Sequence, residues 1–265
     1  MPAFTDQLGR KLVLNHIPQR IISVVPSQTE LLYDLGLESE VIGITKFCIH
    51  PDNWFRTKTR VGGTKKLNLD IIAKLEPDLI IGNKEENSKE QIESLEKYFP
   101  TWISEVKTVS DALSMIQSIG EISGKSIEAS TLMNEIENRF KSYSKKIMHF
   151  NKPRTAYLIW RKPYLAAGGD TFIGNMLNHC GLINIFQTAS RYPEITEKEI
   201  LENNCELLLL SSEPFPFKQQ HVNELQKKLP AVKIMLVDGE IFSWYGSRLL
   251  RAPQYFRDLL DEIGK

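Results

Sequence analysis

The sequence predicts an α/β fold with mostly parallel sheets, and three observations predict it. Short β-branched, apolar runs alternate with amphipathic helical segments along the 265 residues. One apolar stripe in mid-chain is much longer than the others. The phrase LDIIAKLEPDLIIGN in the first half is echoed by EKEILENNCELLLLSS in the second: an amphipathic helix, an acidic residue, then a buried strand ending in small or polar residues. That echo supports two similar lobes, although βα units resemble one another closely at this level. The length suits two modest α/β domains or one large one, and 42% apolar residues suffice for real cores.

In chain order, IISVV (21–25) is apolar and β-branched as a buried strand should be, and TELLYDLGL after it has helical spacing that stops at Gly36. Ser27 followed by Glu30 fits a capping box at the start of that helix. A strand that ends directly in a helix is where open α/β sheets usually hold ligands. VIGIT (41–45) is the next strand, and TKFCIHPDNWFRTKTRVGGTKK is then a loop longer than compact domains favour. Asn68 caps a helix over LNLDIIAKLEP, followed by strand 78–83, a polar helix over 87–98, the strand TWIS (101–104) and a helix over 110–122.

Between Ser126 and Phe150, the residues Ala129, Leu132, Ile136, Phe140, Tyr143, Ile147 and Phe150 recur every three or four positions. Some 25 helical residues reach on the order of 37 Å. This segment is either an ordinary packed helix or a rigid spine between lobes, and Pro153 closes it. The second half restarts with strand 155–160, the turn AAGGD, a helix over TFIGNMLNHCG, a helix over TEKEILENN and the strand 206–212. Strand 233–239 precedes a final helix over 247–263, interrupted or bent near Pro253.

Lys plus Arg and Asp plus Glu both number 33, so net charge gives no case for nucleic acid or an anionic membrane. Cys48, Cys180 and Cys205 are odd in number and far apart, which implies no disulfide framework. No apolar run approaches the roughly 20 residues of a membrane span, and MPAFTDQLGRK lacks a signal-peptide layout, so the chain as written is expected to be soluble and unexported.

Cys48-Ile49-His50 pairs two good zinc ligands, but metal-site spacings are absent and no second pair follows, so no metal of the protein's own is expected. His16, His149, His179 and His221 are scattered, as surface or structural histidines are. Gly62-Gly63 and Gly168-Gly169 match neither G-x-G-x-x-G nor a P-loop, and no G-x-S-x-G occurs. Aromatic residues do accumulate at strand ends and loops: Phe47, Trp54, Trp160, Tyr164, Tyr192, Phe215, Phe217 and Trp244-Tyr245. Beside Arg161 and Arg248 they suit a flat, partly apolar, partly charged ligand. Trp160 and Trp244 are expected to oppose one another as two jaws, with Arg248 bonding an acidic group of the ligand.

TDQLGRKLVLNHIPQRIISVVPSQTELLYDLGL, LDIIAKLEPDLIIGN, the long helix and GLINIFQTASRYPEITEKEIL together resemble substrate-binding proteins of iron-siderophore and cobalamin ABC transporters, over nearly the whole chain. The resemblance implies two Rossmann-like α/β lobes (1–122 and 153–265) joined by one long backbone helix (123–152), a ligand cleft between the lobes and little hinge motion. It implies no catalytic residue and no cofactor of the protein's own, the metal arriving with the chelate. Ser27 and Gln28 become cleft wall, and Phe47, Trp160, Tyr192 and Trp244 match aromatics that enclose the corrin in the cobalamin branch. Thr64 and Asn83 stand where that branch has tryptophans, and His50, Tyr245 and Arg248 complete the expected ligand-binding set. For docking to a permease, Asp70 fits one acidic position; Lys198 falls at the other, flanked by Glu197 and Glu199.

The implied partners are a small-molecule metal chelate and an ABC transporter permease, with no nucleic acid, and the protein is expected to be a monomer. Such a receptor works in the periplasm or membrane-associated if a leader was trimmed; the chain is cytoplasmic if native as written. The competing expectation is a chelatase or corrinoid-handling enzyme on a related two-lobed scaffold, using Cys48 and His50.

Overall fold

In the computed structural model, which describes residues 3–264, the chain forms two compact α/β units. The first comprises Val106 and the residues before it, Ser110–Ile136, and the four-residue segment Tyr245–Arg248. The second comprises Lys107–Val109, Glu137–Trp244 and the residues from Leu249 onward. The expected long helix is present over Ser126–Lys146, four residues shorter than its apolar stripe; up to Ile136 it belongs to the first unit and from Glu137 to the second.

The first unit's sheet has five strands, all parallel, in the order Thr59–Arg60, Val41–Ile44, Ile21–Ser23, Leu79–Asn83, Thr101–Ser104. Ile21–Ser23 is central, with successive connections leaving to opposite sides, so its carboxyl end lies at a topological switch point. Ile22, Val24, Val61, Ile72, Ile80 and Ile103 pack as one core on this sheet. In the second unit, Arg154–Trp160, Leu207–Ser211 and Lys233–Val237 run parallel. Its other flank is antiparallel, formed by Tyr164–Ala166 and Glu194–Ile195, two strands too short to give a periodic signal.

The internal echo is a structural repeat with a shared lock. In the first unit, Asn68 caps the helix Leu69–Leu75 by accepting from Ile71 N–H, and Glu76 takes a left-handed backbone before the strand Leu79–Asn83. In the second, Thr196 and Glu199 form a full capping box on Glu197–Glu202, and Asn204 is left-handed before Leu207–Ser211. The acidic residue of each phrase bonds the amides that open the neighbouring strand. Asp78 accepts from Gln19 and Arg20 N–H at 2.7 and 2.8 Å, and Glu206 accepts from Arg154 N–H at 2.7 Å. Arg20 then donates to the carbonyls of Leu75 and Glu76, as Arg154 does to Asn203.

Two local expectations are corrected. The first helix begins at Pro26, whose missing N–H suits a first helical position; Val25 is its cap residue, no side chain caps it, and Ser27 and Glu30 form no capping box. The long loop after Val41–Ile44 holds the short helix Asp52–Thr57 and paired two-residue strands at Gly62–Gly63 and Lys66–Leu67. Of the two forms expected for the C-terminal segment, the interrupted one is present: a 3-10 turn over Ser247–Leu250 precedes Ala252–Ile263, and Pro253 sits in the new first turn. A helix over Gln219–Lys228 escaped the sequence reading, its buried face being only His221, Val222 and Leu225. No helix among the described residues is long and apolar enough to cross a membrane.

Candidate functional site

The expected site residues gather at the carboxyl ends of the parallel strands in each unit, but in two different roles. In the first unit Gln28 and Asn83 belong to a buried polar network. Gln28 has no exposed surface; its Nε2 donates to Ser104 Oγ at 2.6 Å, and the carbonyl of Gly82 lies 3.4 Å away. Asn83 donates to Ser104 Oγ at 2.9 Å, and its Oδ1 accepts from the N–H groups of Glu85 and Glu86. Asn87, absent from the sequence reading, completes the turn: its Oδ1 accepts from Asn83 N–H and its Nδ2 donates to Val24 and Thr64 carbonyls. The i, i+4 asparagine pair after a buried strand was the available signal.

Tyr245 is buried in the same unit, beside Ser27 and Ser104, and burial pushes its hydroxyl pKa well up. Arg248 is the clearest departure from expectation. It is 5% exposed, and its Nε and Nη2 both bond the carboxylate of Glu30 at 2.8 Å. Its guanidinium is therefore held by Glu30 within the first unit, where a ligand contact was expected. Ser27 is buried as well, whereas Thr64 and His50 are half-buried.

Phe47 behaves differently. It follows the strand Val41–Ile44 and is 50% exposed. Lys46 Nζ stands 5.1 Å from its ring centroid. A Cβ on Gly63 would come within 3.0 Å of the Phe47 ring and 3.3 Å of Lys46 Cε, so this glycine leaves room for the two side chains to lie against the backbone.

In the second unit, Trp160 ends the strand Arg154–Trp160 and is 41% exposed. Its ring meets Phe215 edge-on at 5.8 Å, and Phe215 meets Phe217 at 4.8 Å and His221 at 5.4 Å. His221 Nδ1 accepts from Lys218 N–H at 2.9 Å, and burial lowers its pKa. Arg161 pairs with Glu224 at 2.6 Å. Trp244 belongs to this same unit and is only 7% exposed. Its indole N–H donates to Glu213 at 2.9 Å, beside Ser243 Oγ at 2.6 Å on the same oxygen. The expected opposition of Trp160 and Trp244 as jaws is thus not formed: both lie in one unit and Trp244 is a buried strut. Burial, with Glu240 and Asp238 nearby, raises the Glu213 pKa.

Tyr192 is half-buried on a turn held to the Gly168–Gly169 segment. Gly168 N–H donates to Arg191 carbonyl at 2.8 Å, Gly169 N–H to Ala189 carbonyl at 3.1 Å, and Asp170 accepts from Ser190 Oγ at 2.7 Å. A Cβ at Gly169 would lie 1.9 Å from the Gln187 carbonyl, so these glycines permit close backbone packing.

Asp70 is exposed in the first turn of Leu69–Leu75. Glu197 is half-buried and paired with Lys228 at 2.6 Å, and Glu199 is held in the capping box with Thr196, so both are less available than Asp70.

Cys48 does not suit nucleophilic chemistry. It is fully buried, with Thr29 and Thr45 hydroxyls at 3.1 and 3.2 Å from its Sγ, and burial raises its thiol pKa. Among the described residues, no group of three His, Cys, Asp or Glu is placed to hold a metal. Cys180 and Cys205 are also buried and free. The native protein is therefore expected to react negligibly with a thiol reagent such as Ellman's, all three thiols appearing only in denaturant; rapid reaction of one thiol in native buffer would contradict this placement.

A family model described as periplasmic binding protein matches residues 21–234. The chain belongs to the periplasmic binding protein family. A vitamin B12-binding protein of Vibrio parahaemolyticus is 24% identical over 213 residues, covering 80% of this chain and 76% of the relative. An uncharacterised ABC transporter substrate-binding lipoprotein of Bacillus subtilis is 24% identical over 262 residues, covering 94% of this chain and 82% of the relative. Among solved structures, a periplasmic heme-binding protein from Roseiflexus sp. RS-1 in its apo form superposes with a TM-score of 0.79 at 17% identity, covering 92% of this chain and 97% of that one. The likeness to that structure establishes the periplasmic binding protein fold, and the family model establishes a transport-type binding protein.

Proposed function

We propose that this chain is the substrate-binding component of an ABC-type uptake system and captures a metal chelate: a corrinoid, a haem or a ferric siderophore. The metal comes with the chelate, and the protein acts as a monomeric receptor rather than a catalyst, delivering its ligand to a permease outside the cytoplasmic membrane. The observation that carries this reading is the placement of exposed aromatic rings, Phe47 and Trp160, at the carboxyl ends of parallel strands in a periplasmic binding protein. Relatives named for vitamin B12 and heme support the ligand class. Asp70, on an exposed first helical turn, is the acidic residue best placed to meet a basic permease surface.

The test is a tryptophan-fluorescence titration with cyanocobalamin, haemin and ferric siderophores. Haemin and cyanocobalamin absorb in the region of tryptophan emission, so energy transfer quenches Trp54, Trp102 and Trp244 as well as Trp160, and the titration reads occupancy in Trp160→Ala too. Stacking on one ring is worth roughly 0.5–1.5 kcal/mol, so Trp160→Ala and Phe47→Ala are each expected to weaken binding by about two- to twelve-fold with the fold intact. Wild-type affinity in both variants would remove the aromatic site, and absence of binding to every chelate would remove the receptor reading.

A further inference from the structure

The cations beside the exposed aromatics bear on the charge of the ligand. Arg248 is bound to Glu30 and buried, and Arg161 is paired with Glu224. Lys84, after the strand Leu79–Asn83, pairs with Glu105 at 2.9 Å, and Lys65 Nζ donates to the Glu85 carbonyl. Lys46 is different. It is exposed, carries no salt bridge among the described residues, and its Nζ lies over the Phe47 ring at 5.1 Å. Its backbone N–H is tied to the Gly62 carbonyl at 2.8 Å, and its stem packs where a Gly63 side chain would otherwise sit. The pair is thus a held ammonium next to a half-exposed aromatic face, at the carboxyl end of a parallel strand.

We infer that Lys46 is a specificity-determining residue of the proposed site and that the chelate taken there is a carboxylate-bearing one with a flat apolar portion. This rests on the receptor reading above and narrows its ligand class. A ring seated on Phe47 brings its own peripheral acid within reach of the Lys46 ammonium. That cation is not first neutralised by an internal carboxylate, so the ligand acid supplies its charge partner. A chelate whose periphery offers only amides gains less there. The acidic residues after the neighbouring strand, Glu85 and Glu86, act on the Tyr245 hydroxyl, and their backbone N–H groups are held by Asn83.

The experiment is calorimetric titration of the full chain with haemin, haemin dimethyl ester, ferrioxamine and cyanocobalamin, at two ionic strengths, on wild type, Lys46→Met and Lys46→Arg. Methionine keeps the apolar stem over Gly63 and removes only the charge. The expected result is tightest binding to haemin, its affinity falling with added salt. Lys46→Met is expected to lose about tenfold or more toward haemin, with little salt dependence left, and Lys46→Arg to restore both. Affinity for the carboxylate-free probes is expected to be alike in wild type and Lys46→Met. Tightest binding to a carboxylate-free chelate, or equal haemin affinity in Lys46→Met, overturns this inference and leaves the receptor reading standing. Failure of all four probes to bind overturns both.

Discussion

Arg248→Met is expected to destabilise the protein by about 3–5 kcal/mol, the cost of leaving one member of a buried ion pair without its partner. Arg248 and Glu30 are 5% and 6% exposed and share two hydrogen bonds of 2.8 Å. The substitution leaves the Glu30 carboxylate buried in the first unit with no cation. Urea denaturation would show a lower midpoint for Arg248→Met and for Glu30→Gln. The double variant Glu30→Leu/Arg248→Met is expected to recover much of the loss, because a well-packed apolar pair avoids the desolvation that the ions incur. Below its melting range, Arg248→Met is expected to bind ligand as wild type does. A variant that melts like wild type but loses ligand would return Arg248 to the binding surface.

Asn83→Ala is expected to cost about 2–4 kcal/mol, since several hydrogen bonds are lost and buried partners are left unsatisfied. Asn83 joins two neighbouring strand ends: it donates to Ser104 and accepts from Glu85 and Glu86 N–H, while Asn87 holds its own N–H. Its removal frees the turn over residues 83–87 and leaves Ser104 and Gln28 sharing fewer partners. Thermal melting monitored by far-UV circular dichroism would register the change without any ligand. An unchanged melting temperature would mean that Asn83 faces solvent or ligand, as its sequence position first suggested.

These two residues also mark where sequence reading stops. Local signals were legible. Asn68 is legible as a cap from its position before LDIIAKL, the alternation of strands with amphipathic helices places the strands of the first unit's parallel sheet except the two-residue Thr59–Arg60 but misses the antiparallel pair Ala3–Thr5 and Lys11–Val13, and the phrase shared by 69–83 and 197–212 is a structural repeat. Each of these depends on residues within a few positions of one another. The Arg248–Glu30 bond joins residues 218 positions apart, and no local pattern encodes it. Trp244 and Trp160 look alike in sequence, both near strand ends, yet one indole is tied to Glu213 and the other is open to solvent. Which aromatic is strut and which is surface depends on how the chain returns upon itself. The same holds for Glu30, whose i, i+3 spacing from Ser27 imitates a capping box while its carboxylate reaches Arg248.

The central claim, that this periplasmic binding protein is a receptor for a metal chelate, is tested most directly by native mass spectrometry. The full chain would be purified from its own cells, sprayed, and then challenged with cyanocobalamin, haemin and ferric siderophores in equal amounts. The account predicts a one-to-one complex with a single chelate, either carried through purification or selected from the mixture, and its weakening in Phe47→Ala and Trp160→Ala. Apo protein alone after every challenge, or turnover of a chelate into a new species that is released, would contradict it.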